Sequence, residues 1–124
     1  MSTVDLDQAV RDYFEATRSM DAERWAECFA LDAMVDDPVE GPTMVGRKAL
    51  LERGQRFAAN FKTIGLHETF FHVAGQEAAA KWEARGTFTD GRDVTFEGIN
   101  HFLFNADGKI ARLQGFWDAD ALKP

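Results

Sequence analysis

The chain has 124 residues, 45 % of them apolar, with 11 Phe and 3 Trp. That is enough for one core without disulfide or metal staples, and enough aromatic surface to line a pocket for a large apolar ligand. A formal net charge of −7 argues against nucleic acid and against an anionic membrane surface, since both require a basic face, and a single cysteine, Cys28, excludes an internal disulfide and a cysteine-based metal framework.

The stretch from Met1 to Gln8 is polar and acidic and lacks the basic start and apolar run of a secretory leader. No segment approaches the ~18 apolar residues of a membrane span, so a reducing cytoplasm is the expected compartment. Leu6, Val10, Tyr13, Phe14 and Thr17 recur at spacings of three and four and predict a first helix, capped by Ser2 or Asp5. Ser19-Met20-Asp21 breaks it, and Asp21 caps a short second helix whose stripe is Trp25, Cys28 and Phe29. Met34 to Asp37 reads as a short strand stopped by Pro38, because a residue before proline is pushed toward extended geometry. Val39 to Pro42 is loop. A third helix is expected from Arg47 to about Phe61, with Leu50, Leu51, Phe57, Ala58 and Phe61 on its buried face and Gly54 weakening its middle.

The second half reads as strands: Ile64 to Val73, Ala78 to Thr89, Val94 to Phe104 and Ile110 to Trp117. They are separated by turns at Ala74-Gly75-Gln76, Asp90-Gly91 and Ala106-Asp107-Gly108. Hairpin-linked strands after three helices predict an α+β domain with helices on one face of an antiparallel sheet. For the strand from Lys81 to Thr87 two registers stay open: one turns Glu83 and Arg85 inward, the other buries Trp82, Ala84, Gly86 and Phe88.

Few residues stand out for chemistry. Asp36 and Asp37 are adjacent, so on a strand only one can face a pocket. Tyr13 lies on the apolar stripe of the first helix, where a buried hydroxyl needs a partner. Asn100 lies in a strand whose same-face neighbours are Phe96, Gly98, Phe102 and Phe104, and an amide among aromatics must be hydrogen-bonded to backbone, water or ligand. Gly98 implies room for a bulky group to approach. Leu113, Gly115 and Trp117 share a face of the last strand, as packing or as a pocket wall. His67, His72 and His101 show no metal-binding spacing, and Cys28 reads as an inert core residue. No phosphate-binding glycine loop and no nucleophile elbow appears.

The run Phe29-Ala30-Leu31-Asp32-Ala33-Met34-Val35-Asp36-Asp37-Pro38, with Tyr13 before it and Gly46-Arg47 after it, resembles the ketosteroid isomerases and the wider SnoaL-like, nuclear transport factor 2-like superfamily. So do Glu97-Gly98-Ile99-Asn100, Phe104 to Ile110 and Gly115-Phe116-Trp117. The resemblance spans nearly the whole chain in order. It implies one SnoaL-like domain over residues 1–124: a cone-shaped α+β fold, three N-terminal helices packed on a curved antiparallel sheet enclosing an apolar pocket. It also implies a homodimer and a small hydrophobic ketone as substrate, without cofactor or metal. The family's general base falls on Asp37, its oxyanion-hole tyrosine on Tyr13, its second oxyanion donor, usually an aspartic acid, on Asn100, and a pocket tryptophan on Trp117. Phe96, Gly98, Phe102, Leu113 and Gly115 would complete the substrate wall. Where relatives support the catalytic tyrosine with further tyrosines, this chain has Phe29 and Gly54. Three activities are compatible with the resemblance: double-bond isomerisation or enolisation of a ketone, polyketide cyclisation, and non-catalytic small-molecule binding or dimerisation. The Asp-Arg-Asp set of an epoxide hydrolase of this fold has no clear counterpart.

Overall fold

A computed structural model describes residues 4–123; Ser2, one of the two expected caps, lies outside them. The other, Asp5, accepts the Gln8 N–H at 3.1 Å and opens helix α1, Leu6–Arg18. Leu6, Val10, Tyr13, Phe14 and Ala16 are its buried face. Asp21 caps α2, Ala22–Glu27, by accepting the N–H groups of Glu23 and Arg24. Then follow β1, Phe29–Asp36, β2, Met44–Val45, and α3, Arg47–Ala59. Four more strands close the chain: β3, Phe61–Ala74, β4, Glu77–Phe88, β5, Asp93–Phe104, and β6, Ile110–Phe116, followed by a short 3-10 turn, Ala119–Leu122.

The strands form one six-stranded sheet in the order β2-β1-β6-β5-β4-β3. Every pairing is antiparallel except β1 with β6, which is parallel. The expected all-antiparallel sheet is thus corrected to a mixed one: β1 precedes α3 and the long meander, and the last strand returns beside it in the same direction. Register shifts in β1, β3 and β5 bend the sheet, since an extra residue on one strand kinks and twists it. The three helices lie on the concave side, and the core forms between them and the inner residues of the strands.

Several boundaries differ from the sequence reading. α3 ends at Ala59, and Phe61, expected at the end of its buried face, opens β3 instead. Phe29 begins β1 instead of ending α2, and β1 starts five residues before Met34. The cause is the irregular pairing with β6, which replaces the alternation of a regular strand with the burial order of Phe29, Ala30, Ala33 and Val35. In β4 the inward set is Trp82 and Ala84; Glu83 and Arg85 pair with each other at 3.3 Å on the outside. No helix among the described residues is long and apolar enough to cross a membrane.

Candidate active site

β1 runs out at Asp36, and the next two side chains part. Asp36 faces outward, where it accepts from Arg112 at 3.0 Å and from the Thr43 hydroxyl. Asp37 turns inward to a cleft between the helices and the sheet. The cleft encloses about 110 Å³ and opens to solvent at its mouth, less than the usual size of small-molecule sites. Its wall combines Tyr13 and Thr17 of α1, Trp25 of α2, Arg53 and Phe57 of α3, and Trp82, Phe96 and Trp117 of the sheet side. All three tryptophans of the chain are among them.

Asp37 is tightly held. Its Oδ1 accepts the Trp117 indole N–H at 2.6 Å, and its main-chain oxygen accepts Arg53 Nη2 at 3.1 Å. The carboxylate lies against Gly115, where any Cβ would overlap Oδ1. Oδ2 has no protein hydrogen bond among the described residues and is not sealed from the cleft. Burial raises the Asp37 pKa above the ordinary carboxylate value; the Trp117 hydrogen bond and the Arg53 charge act against that rise. The result is a carboxylate with one oxygen anchored and the other free in an apolar space.

Tyr13 is 1 % exposed, and its ring packs edge-on against Phe14, Phe29 and Phe102. Burial raises its pKa, the negative charge of Asp37 raises it further, and the nearby polar N–H groups of Trp25 and Asn100 work in the opposite sense. The phenol is therefore a hydrogen-bond donor at any ordinary pH. Trp25 occupies the space that Gly54 leaves: a Cβ on Gly54 would lie 3.2 Å from the indole ring. Trp25 of α2 thus joins Tyr13 in the cleft wall, a neighbour that the sequence reading missed. The fact that Gly54 sits on α3 where relatives place a tyrosine was its only signal.

Asn100 is 1 % exposed and lies one layer behind the cleft wall. Its Oδ1 accepts the Trp82 indole N–H at 3.0 Å, and its Nδ2 has no partner. It pairs across the sheet with Gly115, and the Cβ position of Gly115 lies 3.3 Å from Asn100 Oδ1 and against the Asp37 carboxylate. Asp37 and Asn100, distant in sequence, therefore flank the same glycine, and Tyr13 shares the cleft with Asp37.

The expected substrate wall is only partly at the surface of the cleft. Phe96 and Trp117 line it, their rings 5.4 Å apart. Phe102 and Leu113 are fully buried in the core behind it. Gly98 does leave room, but the chain's own Trp82 ring occupies it, and the space over Gly115 is taken by Asp37. Arg53 is the cation in the cleft wall, and the sequence reading passed over it because a lone arginine on a helix reads as solvated. Of the other residues considered, His101 faces outward and bonds Glu77 at 2.8 Å, and burial pushes the Cys28 thiol up to about 11. Among the described residues, no three His, Cys, Asp or Glu side chains gather in a metal-binding arrangement.

The anchored Asp37 also makes a pH prediction. Were Asp37 to act as a base it would have to be ionised, and activity would be lost as pH falls through its pKa. Because burial raises that pKa, the acid limb of kcat/KM is expected above the ordinary carboxylate range. Trp117→Phe removes a hydrogen bond that favours the anion, so its acid limb is expected at higher pH than that of the wild type. A limb unchanged in the variant would separate Trp117 from the ionisation of the base.

The profile of the SnoaL-like domain matches residues 10–113 of the chain. Comparison with curated protein sequences found no match. Among solved structures, the chain is similar to SalBIII, an epoxide hydrolase/cyclase-like enzyme with a role in pyran ring formation in the polyether salinomycin. The two share 21 % identity over 94 % of this chain and 92 % of that one, with a TM-score of 0.83. A candidate polyketide cyclase from Xanthomonas campestris pv. campestris matches at 22 % identity over 91 % of this chain and 90 % of that one, with a TM-score of 0.81. A protein with a ketosteroid isomerase-like fold from Catenulispora acidiphila, in complex with trimethylamine, matches at 16 % identity over 98 % of this chain and 91 % of that one, with a TM-score of 0.84. At these identities the structural likeness is one of fold.

Proposed function

Since the chain belongs to the SnoaL-like domain family, we propose that it catalyses cofactor-independent proton transfer on a hydrophobic ketone, with Asp37 as the base. The observation that carries this reading is the half-buried Asp37 carboxylate, anchored by Trp117 through Oδ1 and open to an apolar cleft through Oδ2. Asp37 takes the proton from the carbon beside the carbonyl, and the C–H electrons move onto the carbonyl oxygen to give an enolate. Tyr13, in the cleft wall, donates a hydrogen bond to that oxygen as it gains charge, and Asn100, just behind the wall, is the second donor once the oxygen seats against its Nδ2. Returning the proton to the far carbon of the enolate shifts the double bond and restores the carboxylate. An amide at position 100 donates without needing a raised pKa, so this donor is present at every working pH.

The test is the ultraviolet appearance of a conjugated enone from a β,γ-unsaturated 3-ketosteroid. Turnover well above the buffer rate is the expected result; a rate equal to buffer removes the steroid from the reading. The second reading is cyclisation of a polyketide, where the same enolate attacks a carbonyl within the molecule in an aldol closure. It is supported by the two cyclase-type structural neighbours, and a linear poly-β-ketone substrate separates it from isomerisation.

The same reading includes a homodimer through the convex side of the sheet. Phe70, Ile99 and Phe116 stand in one cross-strand row there, with Lys81 between the first two. Their exposures of 69 %, 50 % and 49 % leave a large apolar area uncovered. Sedimentation equilibrium is expected to give a dimer for the wild type and a monomer for Ile99→Arg; a monomeric wild type at micromolar concentration removes the dimer.

A further inference from the structure

Asn100 is one residue of the site whose orientation depends on a single contact. A primary amide offers an acceptor on one side and two donors on the other, and rotation by half a turn exchanges them. Trp82 removes that ambiguity. Its indole N–H only donates, so the group 3.0 Å from it is the amide oxygen, and Nδ2 is turned away. Both side chains are fully or almost fully buried, so no solvent competes for the bond. Nδ2 is left buried and unpartnered, a costly state for a donor unless a ligand atom or a neighbouring oxygen uses it. The sheet is built to hold this contact. Trp82 pairs with Gly98 across β4 and β5, and any Cβ on Gly98 would overlap the indole ring.

We propose that Trp82 is a positioning residue: its indole N–H holds the Asn100 amide so that Nδ2 faces the oxygen that gains charge in the reaction. A tryptophan also stands beside each of the other two polar groups: Trp117 donates to Asp37, and Trp25 shares the cleft wall with Tyr13. Trp82 differs from Trp117 in acting on a neutral group, so it changes direction and not ionisation. The role rests on the proposed reaction, in which Asn100 is an oxyanion donor, but the hydrogen bond and its effect on a bound oxygen are measurable without turnover.

Trp82→Phe keeps an aromatic ring at the position and removes the donor, together with the part of the indole that packs over Gly98, so the double variant with Asn100→Ala separates the bond from the packing. Two readouts apply: kcat and KM on the unsaturated ketosteroid, and the Kd of 2-naphthol, a planar phenol that offers an oxygen to the donors, by fluorescence. Trp82→Phe is expected to lower kcat about tenfold with KM little changed, and to weaken 2-naphthol about tenfold, the size one neutral hydrogen bond supplies. In an Asn100→Ala background the same change is expected to cost less than twofold in both readouts, because there is no amide left to orient. A full tenfold loss in that background would show a packing effect and overturn the proposal, as would wild-type values in the single variant. If no protein turns over the ketone while the 2-naphthol cycle shows the coupling, the orientation role stands and the steroid reading falls. Should Trp82→Phe fail to fold, Asn100→Ala reads the bond from its other side: the Trp82 indole N–H proton should move upfield and exchange faster with solvent. An unmoved resonance would overturn the proposal.

Discussion

Asp37→Asn is expected to lower kcat on a hydrophobic ketone by about 10²–10⁴-fold, because an amide cannot take a proton from carbon, while circular dichroism and the thermal transition show an intact fold. The same substitution should raise the melting temperature near neutral pH. The sign follows from linkage. The folded-state pKa of Asp37 is raised by burial, so the folded protein holds this proton more tightly than the unfolded chain. The side chain is least costly to the fold at low pH, where both states are protonated. As pH rises through the unfolded value and then through the raised folded value, stability is lost, and above that it stays lost. Asparagine is neutral throughout and can still accept from Trp117, so the variant lacks this loss. A stabilised, inactive protein would mark Asp37 as a group kept for chemistry at a cost to the fold. Equal or lower stability near neutral pH, measured by calorimetry, would mean that Trp117 and Arg53 fully offset its burial.

Tyr13→Phe is expected to lower kcat by about 10²–10³-fold if Tyr13 is the main oxyanion donor. The change removes one hydroxyl and leaves the ring contacts with Phe14, Phe29 and Phe102 in place, so the core should repack little. A loss under tenfold would take Tyr13 out of that role and leave Asn100 as the principal donor. The two single variants also bear on each other. With the Asn100 amide close enough to favour the charged tyrosine oxygen, removing both donors should cost less than the product of the two separate losses.

The three residues at the centre of these predictions were individually weak in the sequence. Tyr13 reads as an ordinary core tyrosine, Asp37 as one of a solvated acidic pair, and Asn100 as an amide in need of a partner. What joined them was the order of the motifs along the chain, which resembles that of the SnoaL-like superfamily, with Asn100 standing where the resemblance leads one to expect an aspartic acid. The helices were legible because α1 carries a clean stripe and the caps Asp5 and Asp21 act as their side chains suggest. The long strands were legible from their turns. β1 was not, because its irregular pairing with β6 breaks the period-two pattern that identifies a strand.

The chain alone determined the class of the fold, an α+β layer of three helices on a curved sheet, and the short set of polar groups able to do chemistry in an apolar pocket. Local spacing and capping suffice for that, because they act within one turn or one hairpin. Only the tertiary structure decided which face of β4 is inside, so that Trp82 and not Arg85 meets the core, and what fills the space over Gly98 and Gly115. It also decided that each polar group of the site has a tryptophan beside it. These are contacts between residues up to 80 positions apart, as for Trp117 and Asp37. They depend on strand register and on the return of β6 beside β1, and no local pattern in the chain encodes either.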